Sequence, residues 1–461
     1  MQTPFPFEPF LTFGTMAVFL LIGVFLRAKV TFLQRFLMPS CLIAGVIGLV
    51  LISTGVLPTP VKSLETIAYH FFIISFISVG FLFMSEVSAQ KESEKTKDLK
   101  LKSILKGSFW MALIEGITLP IQAIIGSLFV ILFGLAGYKL YPTFGLLLPL
   151  GFTEGPGQAL SFGKVWEGFG FEHAATLGLT FAAIGFLFAF FVGVPLVNWG
   201  IRLTRGKGEK KELPRDLVTG IIPKDQEKEE SGKLTLHSGN IDSLAFHTAL
   251  IGVVYLLTYG FIFLMGKAFS PSVTQSLWGF FFFFGMFIAM FVGWIMKKIG
   301  VIHLVDSGTQ RRITGWAIDF LIVATVMAIQ FQIVWTYIVP IAVMSIFSGI
   351  ATILVLVYFG KRIDSYNLER MAVMFGTCTG TVSSGLLLLR ITDPEFKTPV
   401  ALEVGVMNIL VAPIILACMV LVNAHIWWQW NLPAIIAAFT GLLILCLLLM
   451  KLLKYWGKPK F

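Results

Sequence analysis

Charge is scarce in this chain. Only 13% of its 461 residues are Asp, Glu, Lys or Arg, about half the share in a soluble globular protein. Cysteine is scarcer: Cys41, Cys378, Cys418 and Cys446 each lie in an apolar stretch, with no CxxC and no Cys/His spacing. That excludes a disulfide framework or a zinc module and reads as buried structural thiols. The six histidines are scattered, with no HExxH. A P-loop ending in Lys-Ser/Thr and a GxSxG elbow are also missing, so ATP-driven pumping and hydrolase chemistry lack their residues. No enzyme is expected. The net charge of +10 comes without aromatic-basic interleaving, so no nucleic-acid partner is expected. The first residues, MQTPFPFE, have no basic leader region, and the first apolar segment is read as a retained crossing.

Apolar sequence is what the chain has instead, at 56%. Many runs reach the ~20 residues that cross a bilayer. Spans are read at 9–26, 36–57, 65–84, 103–135, 173–201, 242–265, 276–296, 313–332, 334–359, 398–423 and 432–452. Two further apolar stretches, 141–168 and 368–390, are interrupted near their middles. Thr153-Glu154-Gly155-Pro156-Gly157 breaks the first, and Thr377-Cys378-Thr379-Gly380-Thr381-Val382-Ser383-Ser384-Gly385 breaks the second. Each half is too short to span, which suits a re-entrant hairpin.

Loop charge tests that reading. With both hairpins re-entrant and the N-terminus outside, all but four of the 35 Lys and Arg fall on the cytoplasmic side. The four are Lys62, Lys139, Lys164 and Lys267. The positive-inside rule favours this arrangement, which also puts the C-terminus in the cytoplasm. The expected fold class is an all-α polytopic membrane protein of two inverted repeats. Each repeat holds five transmembrane helices and one hairpin, and a C-terminal helix is added. Residues 1–201 form the first repeat, 202–240 a solvated cytoplasmic linker and 241–424 the second repeat. Residues 425–461 hold the extra helix and tail. At an offset of 225 positions Gly151 falls on Gly376 and Gly155 on Gly380. Paired broken helices in inverted repeats point to a secondary transporter.

A helix broken at mid-membrane exposes carbonyls at one end and N–H groups at the other. Lining a wet cavity, these become ligands for a cation and an anion. Thr153, Glu154, Thr377, Thr379 and Ser383 are read as a cation-binding set, with Na⁺ as the coupling ion. Gly155, Gly157, Gln158, Gly380, Thr381, Ser384 and Arg390 are read as the substrate set. Glu154 has three readings: a cation or proton carrier, a structural partner, or a solvated tip residue. The hydroxyls of the second hairpin either ligate or bond back to their own helix. Arg390 either pairs near Asp393 or grips a substrate carboxylate, and Glu403 offers it a partner. Glu115 is a gate or an inter-helix bond.

The chain resembles the glutamate:sodium symporter family over nearly its whole length. "FLMPSCLIAGVIGLVL", "GFTEGPGQALSFGKVWEGFGFEHAATLGLTFAAIG" and "ERMAVMFGTCTGTVSSGLLLLR" carry the resemblance. It implies Na⁺-coupled uptake of an acidic amino acid, glutamate first, by a multi-pass protein of a bacterial inner membrane. It also implies a homodimer in which a domain holding both hairpins slides, as an elevator, against a scaffold. The family's first tip looks like Ser-Gly-Gly-His-Gly-Thr. Here Thr153, Glu154, Gly155, Pro156, Gly157 and Gln158 stand in those places. A carboxylate beside an anionic substrate needs a cation to neutralise it. Proton coupling through Glu154 with another carboxylate or amino acid is therefore the alternative, and a passive channel a more distant one.

Overall fold

Runs rich in Leu, Ile, Val and Phe, without clustered Gly or Pro, become helices because a segment in lipid must satisfy its own backbone polar groups. A computed structural model describes residues 6–90, 98–204, 213–226, 228, 232–363, 365–394 and 396–459. No strand occurs among them. The first half holds α1 (Glu8–Lys29), α2 (Ser40–Ser53), α3 (Val61–Gln90) and α4 (Asp98–Leu135). It continues with α5 (Leu147–Phe152), α6 (Pro156–Glu167), α7 (Ala174–Leu187) and α8 (Gly193–Thr204). A π-turn over Phe188–Val192 joins the last two. The second half holds α9 (Ser243–Gly266), α10 (Pro271–Leu277), α11 (Phe281–Lys298), α12 (Ser307–Met327) and α13 (Ile338–Gly360). It continues with α14 (Asn367–Thr379), α15 (Val382–Thr392), α16 (Val400–Val422) and α17 (Leu432–Leu452).

Among the described residues nine helices are long and apolar enough to cross a membrane. The chain is an integral, multi-pass, all-helical membrane protein. Two sequence-predicted spans, 36–57 and 313–332, are not among the nine. α2 has only 14 residues, about 21 Å of rise. α12 has 21 but carries Arg311, Arg312 and Asp319. The two pack on each other: Val326 and Met327 of α12 fill the space left by Gly45 and Gly48 of α2.

The helices sort into two groups by contact. α1, α2, α3, α11 and α12 pack on one another, with α9 against α11. α4 collects α13, α16 and α17, while α5 and α6 pack on α7, and α14 packs on α15 and α13. The groups meet mainly where α6 lies against α3, α10 and α12. Ser78 of α3 donates to Gln310 Oε1 of α12 at 2.5 Å, fastening the first group internally.

The linker is not solvated throughout. Arg215–Thr219 form a short helix with Leu217 buried. The buried Arg27 guanidinium donates to the Leu217 carbonyl at 2.9 Å and to the Met38 carbonyl at 2.9 Å. Gly232 lies against Thr309 and Asp306 at the start of α12. The rest of the linker expectation, at 205–212, 227 and 229–231, lies outside the described residues. All four cysteines are buried and unbridged.

Candidate functional site

Both interruptions leave helix ends facing each other. α5 stops at Phe152 and α6 starts at Pro156. Gly155 between them holds φ 87° and ψ −178°, a conformation essentially reserved for glycine. Pro156 takes the first helical position, where a missing N–H costs nothing. α14 stops at Thr379, and α15 starts after an extended Thr381. Its arms lie close: a Cβ on Gly376 would sit 2.6 Å from the Gly385 Cα.

The two tips touch. A Cβ on Gly155 would lie 3.0 Å from Thr381 Cγ2 and 3.2 Å from the Gly380 carbonyl. Thr153 Oγ1 lies 3.2 Å from the Cys378 carbonyl and 2.8 Å from Gln122 Oε1, so its one proton is shared between two acceptors. Gln122 Nε2 donates to the same Cys378 carbonyl at 3.1 Å and to Thr352 Oγ1 at 3.1 Å. One glutamine of α4 thus holds both tips. Glu115, Thr118 and Gln122 follow one face of α4 at helical spacing, and all three are buried.

Around this crossing, buried oxygens lack partners. Gln158 Nε2 donates to Glu154 Oε2 at 2.5 Å. That leaves Glu154 Oε1 and Gln158 Oε1 buried and unpaired, together with Glu115 Oε2 and Thr381 Oγ1. A buried unpaired carboxylate oxygen costs free energy that a cation or proton would recover. Among the described residues no group of three or more His, Cys, Asp or Glu is placed to hold a metal ion. The available ligands are carboxylate, amide, carbonyl and hydroxyl oxygens, a set suited to a hard cation.

The sequence-predicted residues divide. Thr153, Glu154, Gly155, Gln158, Gly380 and Thr381 come together at the crossing. Gly157 borders it with its Cα against the Phe72 ring of α3. Thr377 and Thr379 donate their hydroxyls back to the Val373 and Phe375 carbonyls at 2.9 and 2.6 Å. Ser384 is buried beside Gly380, whereas Ser383 is exposed. Arg390 is not at the crossing. It sits eight residues into α15, about 12 Å along the axis, with its guanidinium 4.5 Å above the Phe396 ring.

Glu403 does not pair with Arg390. Its carboxylate takes a two-pronged bond from Arg370, Nε to Oε2 at 2.7 Å and Nη2 to Oε1 at 2.6 Å. Arg370, counted from the sequence as a loop cation, is 2% exposed in the first turn of α14. Asp393 accepts from the Lys397 and Thr398 backbone N–H groups at 2.9 and 2.8 Å. Sequence reasoning also gave no role to Gln122 as the tie between tips. It passed over Asp319, an acid inside an α12 segment it read as a crossing, although an ionisable residue there is a legible signal.

Residues 6–382 match a family model described as Sodium/glutamate symporter. No curated protein matches the chain.

Proposed function

The chain belongs to the sodium/glutamate symporter family, and we propose from that premise that it is a secondary active transporter coupling Na⁺ entry to uptake of a small organic anion, glutamate first. The observation that carries this reading is the set of buried, unpaired oxygens at the crossing: Glu154 Oε1, Gln158 Oε1, Glu115 Oε2 and Thr381 Oγ1. Na⁺ is bound by Glu154 and Thr153 with carbonyls of the broken ends. Thr377, Thr379 and Ser383 stay in the proposed cation set through hydroxyl lone pairs. The anion lies against the N-terminal ends of α6 and α15, beside Gly155, Gly157, Gln158, Gly380, Thr381 and Ser384. Arg390 serves that anion only if α15 moves. Cation binding beside Glu154 removes the repulsion that its carboxylate would exert on an anionic substrate.

The two contact groups support an elevator reading. α1–α3 and α9–α12 are the scaffold, and α4–α8 with α13–α17 are the moving domain. The halves of the chain are the inverted repeats 1–201 and 241–424, with re-entrant hairpins at 141–168 and 368–390 and α17 an addition. The scaffold mediates a homodimer, and the N-terminus is outside. A second reading draws on one observation: Glu115 adds a second buried carboxylate, with one oxygen unpaired, to the α4 face that carries Gln122. The same machine then runs on protons, with Glu154 as carrier. Glutamate uptake into proteoliposomes, with and without an inward Na⁺ gradient, tests the proposal. Gradient-dependent accumulation is expected; equal uptake in both removes Na⁺ coupling, and no uptake removes glutamate.

A further inference from the structure

A cavity of about 600 Å³ opens where the two helix groups meet, lined by Glu65, Thr66 and Tyr69 of α3, Ser161 and Lys164 of α6, and Gln275 of α10. α3 and α6 run antiparallel along it, and two contacts bracket it. At the mouth Lys164 Nζ lies 2.8 Å from Glu65 Oε2. At the floor the Phe72 ring packs on Gly157. Each floor residue is seven positions from its mouth residue, about 10.5 Å along either helix. The two contacts therefore close a slot of one depth. Beyond the floor, three residues before Gly157 in the chain, lies Glu154, which Gln158 holds from a face of α6 outside the cavity lining.

Gly157 is what lets the floor close. A Cβ there would overlap the Phe72 ring. Phe72 is 4% exposed and leans on Phe76 and Phe282, with ring centroids 4.9 and 4.8 Å away. The ring therefore belongs to the α3 group while its contact belongs to the tip. We propose that this cavity is the route by which a small carboxylate anion reaches the crossing, and that Phe72 seated on Gly157 is its gate. The volume suits an amino-acid-sized solute, and Thr66, Ser161 and Gln275 stand as polar groups among the apolar Leu160, Val165 and Trp278. Lys62 at the mouth favours an anion, Lys164 being paired with Glu65 and Glu167. Movement of α6 against α3 unseats the ring and joins the cavity to the site. The inference rests on the transport reading above, but its test does not need transport.

Thr66→Cys places a thiol on the cavity wall, and Gln158→Cys places one outside the cavity lining, on the buried face of α6 that holds Glu154. Both are labelled in the full-length protein in vesicles with a membrane-impermeant methanethiosulfonate, against the parent with its four buried cysteines. Fast labelling at position 66 and labelling at least tenfold slower at 158 are expected. Adding Phe72→Ala should raise the rate at 158 by tenfold or more without changing that at 66. If Phe72→Ala does not fold, Phe72→Leu replaces it, with a rise of severalfold. Equal rates at 158 with and without the ring overturn the gate, and an unreactive 66 overturns the route. Intact labelling of the variants with no glutamate uptake by the parent removes the proposed substrate and leaves the gate standing.

Discussion

Thr153 Oγ1 lies 3.2 Å from the carbonyl of Cys378, a residue 225 positions later in the chain. Gly155 and Gly380, which touch two residues further along, have the same separation. That offset is the one at which Gly151 falls on Gly376 and Gly155 on Gly380. Residues in equivalent places of two related halves meet only near an axis relating them. The crossing of the broken helices is therefore where such an axis would run, and where a ligand would be met by both halves at once.

The tie between the tips should be costly to cut. Gln122→Leu removes the Nε2 donor to Cys378 and Thr352, and Thr153→Val removes the shared hydroxyl. Each leaves buried acceptors unpaired, at about 1–3 kcal/mol. Thermal unfolding in detergent should show both losses, and the double variant should lose less than their sum because they share an acceptor. Strict additivity would mean the three groups do not act as one unit.

Arg370 and Glu403 anchor the base of α14 to α16, and Ser108 of α4 donates to the Glu403 carbonyl at 2.9 Å. With side chains 2% and 0% exposed, either one left alone is a buried, uncompensated charge. Arg370→Met or Glu403→Leu alone should cost about 3–5 kcal/mol, and the pair together much less. Expression and melting temperature of the three variants give the check. Similar melting temperatures for single and double variants would remove the anchor.

Asp306 caps α12, accepting from Thr309 N–H at 2.7 Å and Thr309 Oγ1 at 2.9 Å. Burial alone would raise its carboxyl, but the Thr309 bonds and the Lys233 backbone outweigh it and hold it below the usual aspartate value. A carboxyl lowered on folding stabilises above its unfolded pKa and loses that contribution as pH falls through the folded value. Asp306→Ala should cost about 1 kcal/mol above about pH 5, with the difference from the parent fading below about pH 4. A difference that stays constant down to pH 3 would exclude the ionised cap.

Much of this fold is legible in the sequence because lipid imposes simple rules. Gly155-Pro156 marks a break because it cannot extend an apolar helix unaided, and the second break falls at Gly380-Thr381, inside a run of hydroxyls whose other members stay helical. Gly155 in particular could be read as a turn, and its positive φ is the reason. What stays hidden are partnerships across distance. Gln122 reaches a carbonyl 256 positions away, and no local pattern announces that. Arg370 looks like a loop cation because it stands at a segment edge, yet a glutamate 33 positions later draws it inside. α2 is shorter than its apolar run suggests because Pro39 and the turn at 36–39 delay its start, and its helix ends at Ser53.

Glu154 is the residue on which the cation proposal stands. The most direct measurement is calorimetric titration of Na⁺ into the purified protein in a choline background, for the parent and for Glu154→Gln. Saturable Na⁺ binding in the parent is expected, weakened at least tenfold in a Glu154→Gln variant that keeps its melting temperature. Unchanged Na⁺ affinity in that variant, or none in the parent, would contradict the account.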